Sequence, residues 1–125
     1  MTPKYRLCLL IDDNPLDSYI NSKVLEINHF VSEITIVEEP EKALALLKSE
    51  KIKPDIIFLD LRMPHMSGFE FLNEYGKLEI DKTHTKIYML SSSINRDEIN
   101  RANKNEFVIK FINKPLTRNI LKELE

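Results

Sequence analysis

The sequence predicts an α/β fold built on a parallel sheet, and three observations carry that prediction. Five short apolar runs rich in Ile, Leu, Val and Phe recur along the chain: Arg6 to Ile11, Glu33 to Val37, Ile56 to Leu59, Lys86 to Leu90 and Phe107 to Ile112. Each has the length and composition of a strand. A stretch of helical period follows every run, so the chain alternates β and α five times. The third run, bounded by Pro54 and Pro64, is almost wholly apolar, as a strand buried on both faces must be. Strict alternation implies a parallel sheet with helices on both faces and right-handed crossovers.

The helices follow in order. Asn14 is placed as N-cap and Pro15 at N1 of the first, and Leu16, Ile20, Val24 and Ile27 mark its apolar face. Pro40 opens the second, with Ala43, Leu44 and Leu47 facing inward. Ser67 and Glu70 form a capping box for the third, which carries Phe71, Leu72 and Tyr75. The fourth, Asn95 to Asn103, offers only Ile99 and Ala102 as apolar residues and is rich in weak helix formers. Leu116, Ile120, Leu121 and Leu124 mark the fifth, which runs to the chain end.

At 125 residues the chain suits one domain, 1–125, with a core that needs neither metal nor disulfide. The formal net charge of −2 provides no basic stripe for nucleic acid. Cys8, the one cysteine, lies within the first apolar run and reads as a small core residue in a reducing compartment. Leu7 to Ile11 is too short for a secretory signal or a membrane span, so a cytoplasmic location without membrane contact is expected. Two glycines are too few for nucleotide-cradling loops. Nothing follows the fifth helix, and no output domain is expected.

In a parallel sheet the C-terminal strand ends share one edge, where ligands bind near the reversal of strand order. The first run ends in Asp12-Asp13, the second in Glu38-Glu39, the third in Asp60, the fourth in Ser91-Ser92-Ser93 and the fifth in Asn113-Lys114-Pro115. Each piece alone has an ordinary structural reading. Asp12-Asp13 serves as a helix cap, the serines as loop hydroxyls, Lys114 as a solvated cation, and Asp60 either caps its own turn or does chemistry. Together they differ, because clustered carboxylates repel unless a cation lies among them. A hard divalent metal meets that need, and a lysine and a hydroxyl beside it make a place for a phosphoryl group.

These residues carry a resemblance. Leu-Leu-Ile-Asp12-Asp13-Asn14, then Ile-Phe-Leu-Asp60-Leu-Arg-Met-Pro64-His-Met-Ser-Gly68, then Leu-Ser91-Ser, then Asn-Lys114-Pro115 resemble the receiver (CheY-like) domain of bacterial two-component response regulators. The likeness spans essentially the whole chain. It implies the flavodoxin-like (βα)5 three-layer sandwich, with a sheet of order 2-1-3-4-5. It also implies a Mg²⁺-dependent (or Mn²⁺-dependent) phosphorelay domain rather than a turnover enzyme. Asp60 is then the phosphoacceptor, taking its phosphoryl group from a sensor histidine kinase or phosphotransfer protein. The implied metal ligands are Asp12, Asp13, Asp60 and the backbone carbonyl of Arg62. Lys114, Ser91 and Ser92 would bind the phosphoryl group, and Lys114–Pro115 is expected in cis.

For switching, the resemblance assigns Ser91 as the hydroxyl that moves and Phe111 as the aromatic that turns inward, here without a phenolic group. The fourth helix, fifth strand and fifth helix form the expected face for an unknown downstream protein. The state is expected to be a monomer or a phosphorylation-dependent dimer. Arg62 and Ser93 are candidate modulators of phosphate lifetime. Three other readings compete. An aspartate-nucleophile phosphatase needs an acid where Arg62 stands. A flavodoxin-type binder needs a Ser/Thr/Gly loop after the first strand. A degenerate receiver acting only as an interaction domain runs against the presence of Asp12, Asp13, Asp60, Ser91 and Lys114, and a receiver excised from a longer regulator or hybrid kinase differs only in context.

Overall fold

The computed structural model describes residues 2–124. Ten elements alternate: β1 (Tyr5–Ile11), α1 (Pro15–Ile27), β2 (Val31–Val37), α2 (Pro40–Lys48), β3 (Ile56–Leu59), α3 (Gly68–Gly76), β4 (Lys86–Ser91), α4 (Arg96–Lys104), β5 (Val108–Asn113) and α5 (Arg118–Glu123). All four strand pairings are parallel, and the order is β2-β1-β3-β4-β5. Consecutive strands lie apart at β2–β3, so the order reverses beside β1 and β3. In open parallel sheets ligands bind at such a reversal, and here it lies between the strand ends that lead into Asp12 and Asp60.

The two-residue period of the strands divides the core into two layers. Leu9, Ile11, Ile57, Leu59 and Met89 point one way, against Ala43 and Leu47 of α2, Phe71, Leu72 and Tyr75 of α3, and Ala102 of α4. Cys8, Leu10, Ile56, Phe58 and Leu90 point the other way, against Leu25 of α1 and Leu121 of α5. All four residues of β3 are buried, as its unbroken apolar run requires. At the far end of the sheet, the Asp55 carboxylate accepts from the Arg6 and Leu7 amides and ties β3 to the start of β1. Burial pushes the Cys8 thiol far up, so the residue is an inert filler of the core. Among the described residues, no helix is long and apolar enough to cross a membrane.

Local signals work as read at the helix starts. The Asn14 side chain accepts from the Asp17 amide, Ser67 and Glu70 complete their capping box, and Asn95 caps α4. Thr117 caps α5, so Leu116 lies in the turn before that helix while still buried.

The apolar face read for α1 requires correction. Leu16 (65%), Ile20 (40%) and Ile27 (73%) are exposed, with Tyr19 beside them, and the buried residues are Ser18, Asn21, Ser22 and Leu25. Asn21 and Ser22 face inward with hydrogen-bond partners, whereas the buried Ser18 hydroxyl has none among the described residues. Buried Asn21 Oδ1 accepts from the Leu116 amide at 3.0 Å, and Ser22 donates to the Tyr19 carbonyl. Small side chains on that face also let α1 lie close to the segment that carries Lys114. Of the expected stripe only Val24 packs partly against the core, and Leu16, Ile20 and Ile27 are left on the outside.

Candidate functional site

Backbone hydrogen bonds fix the site before any side chain acts. The Asp12 amide donates to the Val37 carbonyl at 3.1 Å, Asp60 to Ile11 at 2.9 Å and Lys114 to Ser91 at 3.0 Å. Each functional residue therefore continues the ladder one step past its strand and inherits the rigidity of the sheet. Gly68 lets the next segment close over Asp60. Its amide donates to the Leu61 carbonyl at 2.8 Å, and a Cβ there would stand 2.6 Å from the Asp60 carbonyl oxygen.

One carboxylate oxygen from each of Asp12, Asp13 and Asp60 lies within 4.8 Å of the others. Asp12 and Asp60 are buried and Asp13 half-buried. Glu38 and Glu39 do not join them; both are exposed, and Glu39 faces Lys42. Lys114 enters from the other side with a largely buried ammonium, 2.7 Å from Asp12, 2.8 Å from Asp17 and 3.4 Å from Asp60. The Lys114–Pro115 peptide is cis.

The electrostatics follow from this crowding. Burial first, and the negative charge of Asp12 second, push the Asp60 carboxyl up to about 6 against the pull of Lys114. Burial by itself would lower the Lys114 ammonium, but hydrogen bonds to Asp12 and Asp17 and the charge of Asp60 hold it above its usual range. At neutral pH Asp60 thus stays mostly ionised beside a permanent cation, Lys114. Asp12 keeps part of a capping role by accepting from the Asn14 amide at 2.9 Å. Among the described residues no backbone amide donates to the Asp60 carboxylate, so a turn-capping role for Asp60 has no bond to support it. The three carboxylates offer hard oxygen donors of the kind Mg²⁺ or Mn²⁺ prefers, and an anion-crowded acid is what such an ion would relieve.

Ser91 is buried at the end of β4, with its Oγ facing the Ser93 amide at 3.4 Å, and Ser92 is exposed. Phe111 already lies inside, in the same layer as Met89 and Ala102. The Arg62 side chain is turned away onto α4, where it meets Glu98 at 2.6 Å. Ser93 donates to the same Glu98 oxygen at 2.7 Å and takes the Asn95 amide on its own Oγ. Two residues of this site escaped the sequence reading, Asp17 and Glu98. Each is an acid in the first turn of a helix, where an acid needs no explanation beyond the helix dipole.

Residues 8–124 match the family described as the response regulator receiver domain. A two-component response regulator from Cytophaga hutchinsonii superposes with a TM-score of 0.87 at 30% identity, covering 97% of this chain and 94% of that one. A response regulator receiver protein from Dyadobacter fermentans gives a TM-score of 0.85 at 30% identity, covering 95% and 94%. A protein-glutamate methylesterase/protein-glutamine glutaminase from Treponema pallidum is 38% identical over 73 residues, 58% of this chain and 18% of that protein. The chain spans about a fifth of the length of that and similar curated relatives. With the sheet order, the strand-end acids and Lys114 in place, the conclusion is that this chain belongs to the response regulator receiver domain family.

Proposed function

We propose that the chain accepts a phosphoryl group on Asp60 from a phosphohistidine of a sensor histidine kinase or phosphotransfer protein. The observation that supports this best is the meeting of a buried carboxylate, two further acids and a buried ammonium at one sheet edge. An oxygen of ionised Asp60 forms the bond to phosphorus while the histidine nitrogen departs with its electron pair. Asp12, Asp13, Asp60 and the Arg62 carbonyl would hold Mg²⁺ (or Mn²⁺). When bound, that ion supplies charge neutralisation between two negative reactants. Lys114 offers an N–H to the incoming oxygens in place of its present contact with Asp60.

Ser91 and Ser92, at the end of β4, bind the remaining oxygens, and Ser91 moves to do so. Phe111 then repacks from a position already inside, without a hydroxyl to signal by hydrogen bonding. The domain acts as a signalling acceptor whose chemistry is its own phosphorylation and dephosphorylation. The exposed apolar face of α1 starts at Leu16, beside the Asp12-Asp13 turn, and suits the phosphodonor. Exposed Ile94 and Ile109 mark the α4–β5–α5 side for a downstream protein.

Incubation with a small phosphodonor and Mg²⁺, followed by intact mass, tests the reading. An acid-labile phosphoryl adduct is expected on the wild type and not on Asp60→Asn. No adduct, or one that survives Asp60→Asn, refutes it.

A further inference from the structure

The ammonium of Lys114 has three N–H donors and three carboxylates around it. Asp12 and Asp60 belong to the acidic group, while Asp17 does not. Asp17 is also the carboxylate that the phosphorylation chemistry leaves unused. Its position is well determined: the Asp17 amide is held by Asn14 Oδ1 at 3.1 Å, and the Asn14 amide by Asp12 Oδ1 at 2.9 Å. The pair with Lys114 joins residues 97 positions apart and is partly buried, unlike the exposed i,i+3 pairs elsewhere on the surface.

We propose that Asp17 is a positioning residue that draws the Lys114 ammonium toward α1 and away from Asp60, limiting how far it enters the seat between the metal-binding carboxylates. The inference rests on the reading of Asp12, Asp13 and Asp60 as that seat. An ammonium and a divalent cation compete for the same oxygens, and Lys114 already takes one Asp12 oxygen at 2.7 Å. With Asp17 present, one N–H is spoken for outside the group, and the ammonium stands 2.7 Å from Asp12 and 2.8 Å from Asp17 but 3.4 Å from Asp60. It is then near enough to meet a phosphoryl oxygen while the Asp60 side of the metal's place stays open. Without Asp17, the remaining partners are both members of the acidic group. The ammonium settles between them, and its charge opposes the incoming ion.

The test is Mg²⁺ binding by titration calorimetry with no phosphodonor present, so the readout is independent of phosphorylation. Asp17→Asn is expected to weaken Mg²⁺ binding about ten-fold, the scale for one charge moved a few ångströms near a protein surface. Asp17→Glu is expected to recover most of the loss, and Lys114→Met to bind Mg²⁺ more tightly than the wild type. The deciding comparison is Asp17→Asn in the Lys114→Met background, where no further weakening is expected.

Equal weakening in both backgrounds overturns the proposal and assigns the effect to the charge of Asp17 acting directly on the ion. Unchanged affinity in Asp17→Asn also overturns it, leaving Asp17 a tie between α1 and the β5–α5 turn. Asp17→Ser, which keeps a helix-opening residue, repeats the comparison if the asparagine variant folds poorly. Absence of Mg²⁺ binding by the wild type would instead sink the metal reading itself. Normal wild-type binding with a silent Asp17→Asn removes this inference alone.

Discussion

Asp60→Asn is expected to make the folded domain more stable at pH 7.5 while abolishing its chemistry. Asp60 rises from its usual 3.8 to about 6 in the fold, first because it is buried and then because Asp12 faces it. A carboxyl with a raised pKa binds more protons folded than unfolded, so its ionisation opposes folding above the unfolded value. A rise of about two units corresponds to about 3 kcal/mol at pH 7.5, at 1.36 kcal/mol per unit. Partial access of water to the site reduces this to about 1–3 kcal/mol. The asparagine carries no charge and escapes the cost. On lowering the pH to 5, wild-type Asp60 becomes largely protonated and roughly half of the advantage disappears. Urea unfolding of both proteins in EDTA at pH 7.5 and pH 5, read by circular dichroism, measures the difference. Added Mg²⁺ should narrow it by stabilising the wild type through binding. A variant less stable than wild type at pH 7.5, or one whose advantage is the same at both pH values, refutes the reasoning.

Three further outcomes are expected. Gly68→Ala places a Cβ 2.6 Å from the Asp60 carbonyl oxygen and 3.0 Å from Leu61 Cα, contacts with backbone that cannot swing aside. It should cost about 1–3 kcal/mol in urea unfolding with an unchanged m-value, and unaltered stability contradicts the close approach. Glu98→Gln loosens the bonds from Arg62 and Ser93 that supplement the single buried residue of α4. Amide exchange over Arg96 to Asn103 should quicken while β1 and β3 stay protected, and uniform protection counts against a latch. Leu16→Ser with Ile20→Ser should slow transfer from a phosphohistidine protein and leave labelling by a small phosphodonor unchanged. Equal slowing of both reactions would show damage to the site rather than loss of a docking face.

The strands and the chemical edge were readable because their signals are local. An apolar run that stops at Asp12 or Asp60 marks both a strand and its exit, and parallel topology then gathers the exits on one edge. The inward face of α1 was not readable in this way. Periodicity shows that Leu16, Ile20 and Ile27 share a face, but not which way that face turns. The answer depended on Asn21 finding the Leu116 amide, 95 positions away. Asp17 and Glu98 were hidden for the same reason. Their partners Lys114 and Arg62 are 97 and 36 positions distant, and nothing beside them in sequence announces the pairing.

Those long-range pairs help explain how one site can be both firm and ready to change. Asp12, Asp60 and Lys114 stand on ladder hydrogen bonds, so their backbones have little freedom. Their charges, however, are satisfied by partners that can be exchanged: Lys114 shares three carboxylates, and Glu98 shares Arg62 and Ser93. Adding negative charge at Asp60 would draw Lys114 and Ser91 without moving β1 or β3. The Ser91 hydroxyl faces the Ser93 amide, and the Ser93 hydroxyl bonds Glu98 on α4. Displacing Ser91 would therefore act on α4, which buries only Ala102, through two polar links. A rigid sheet that carries exchangeable polar contacts can pass a local change in charge to α4 while the core stays in place.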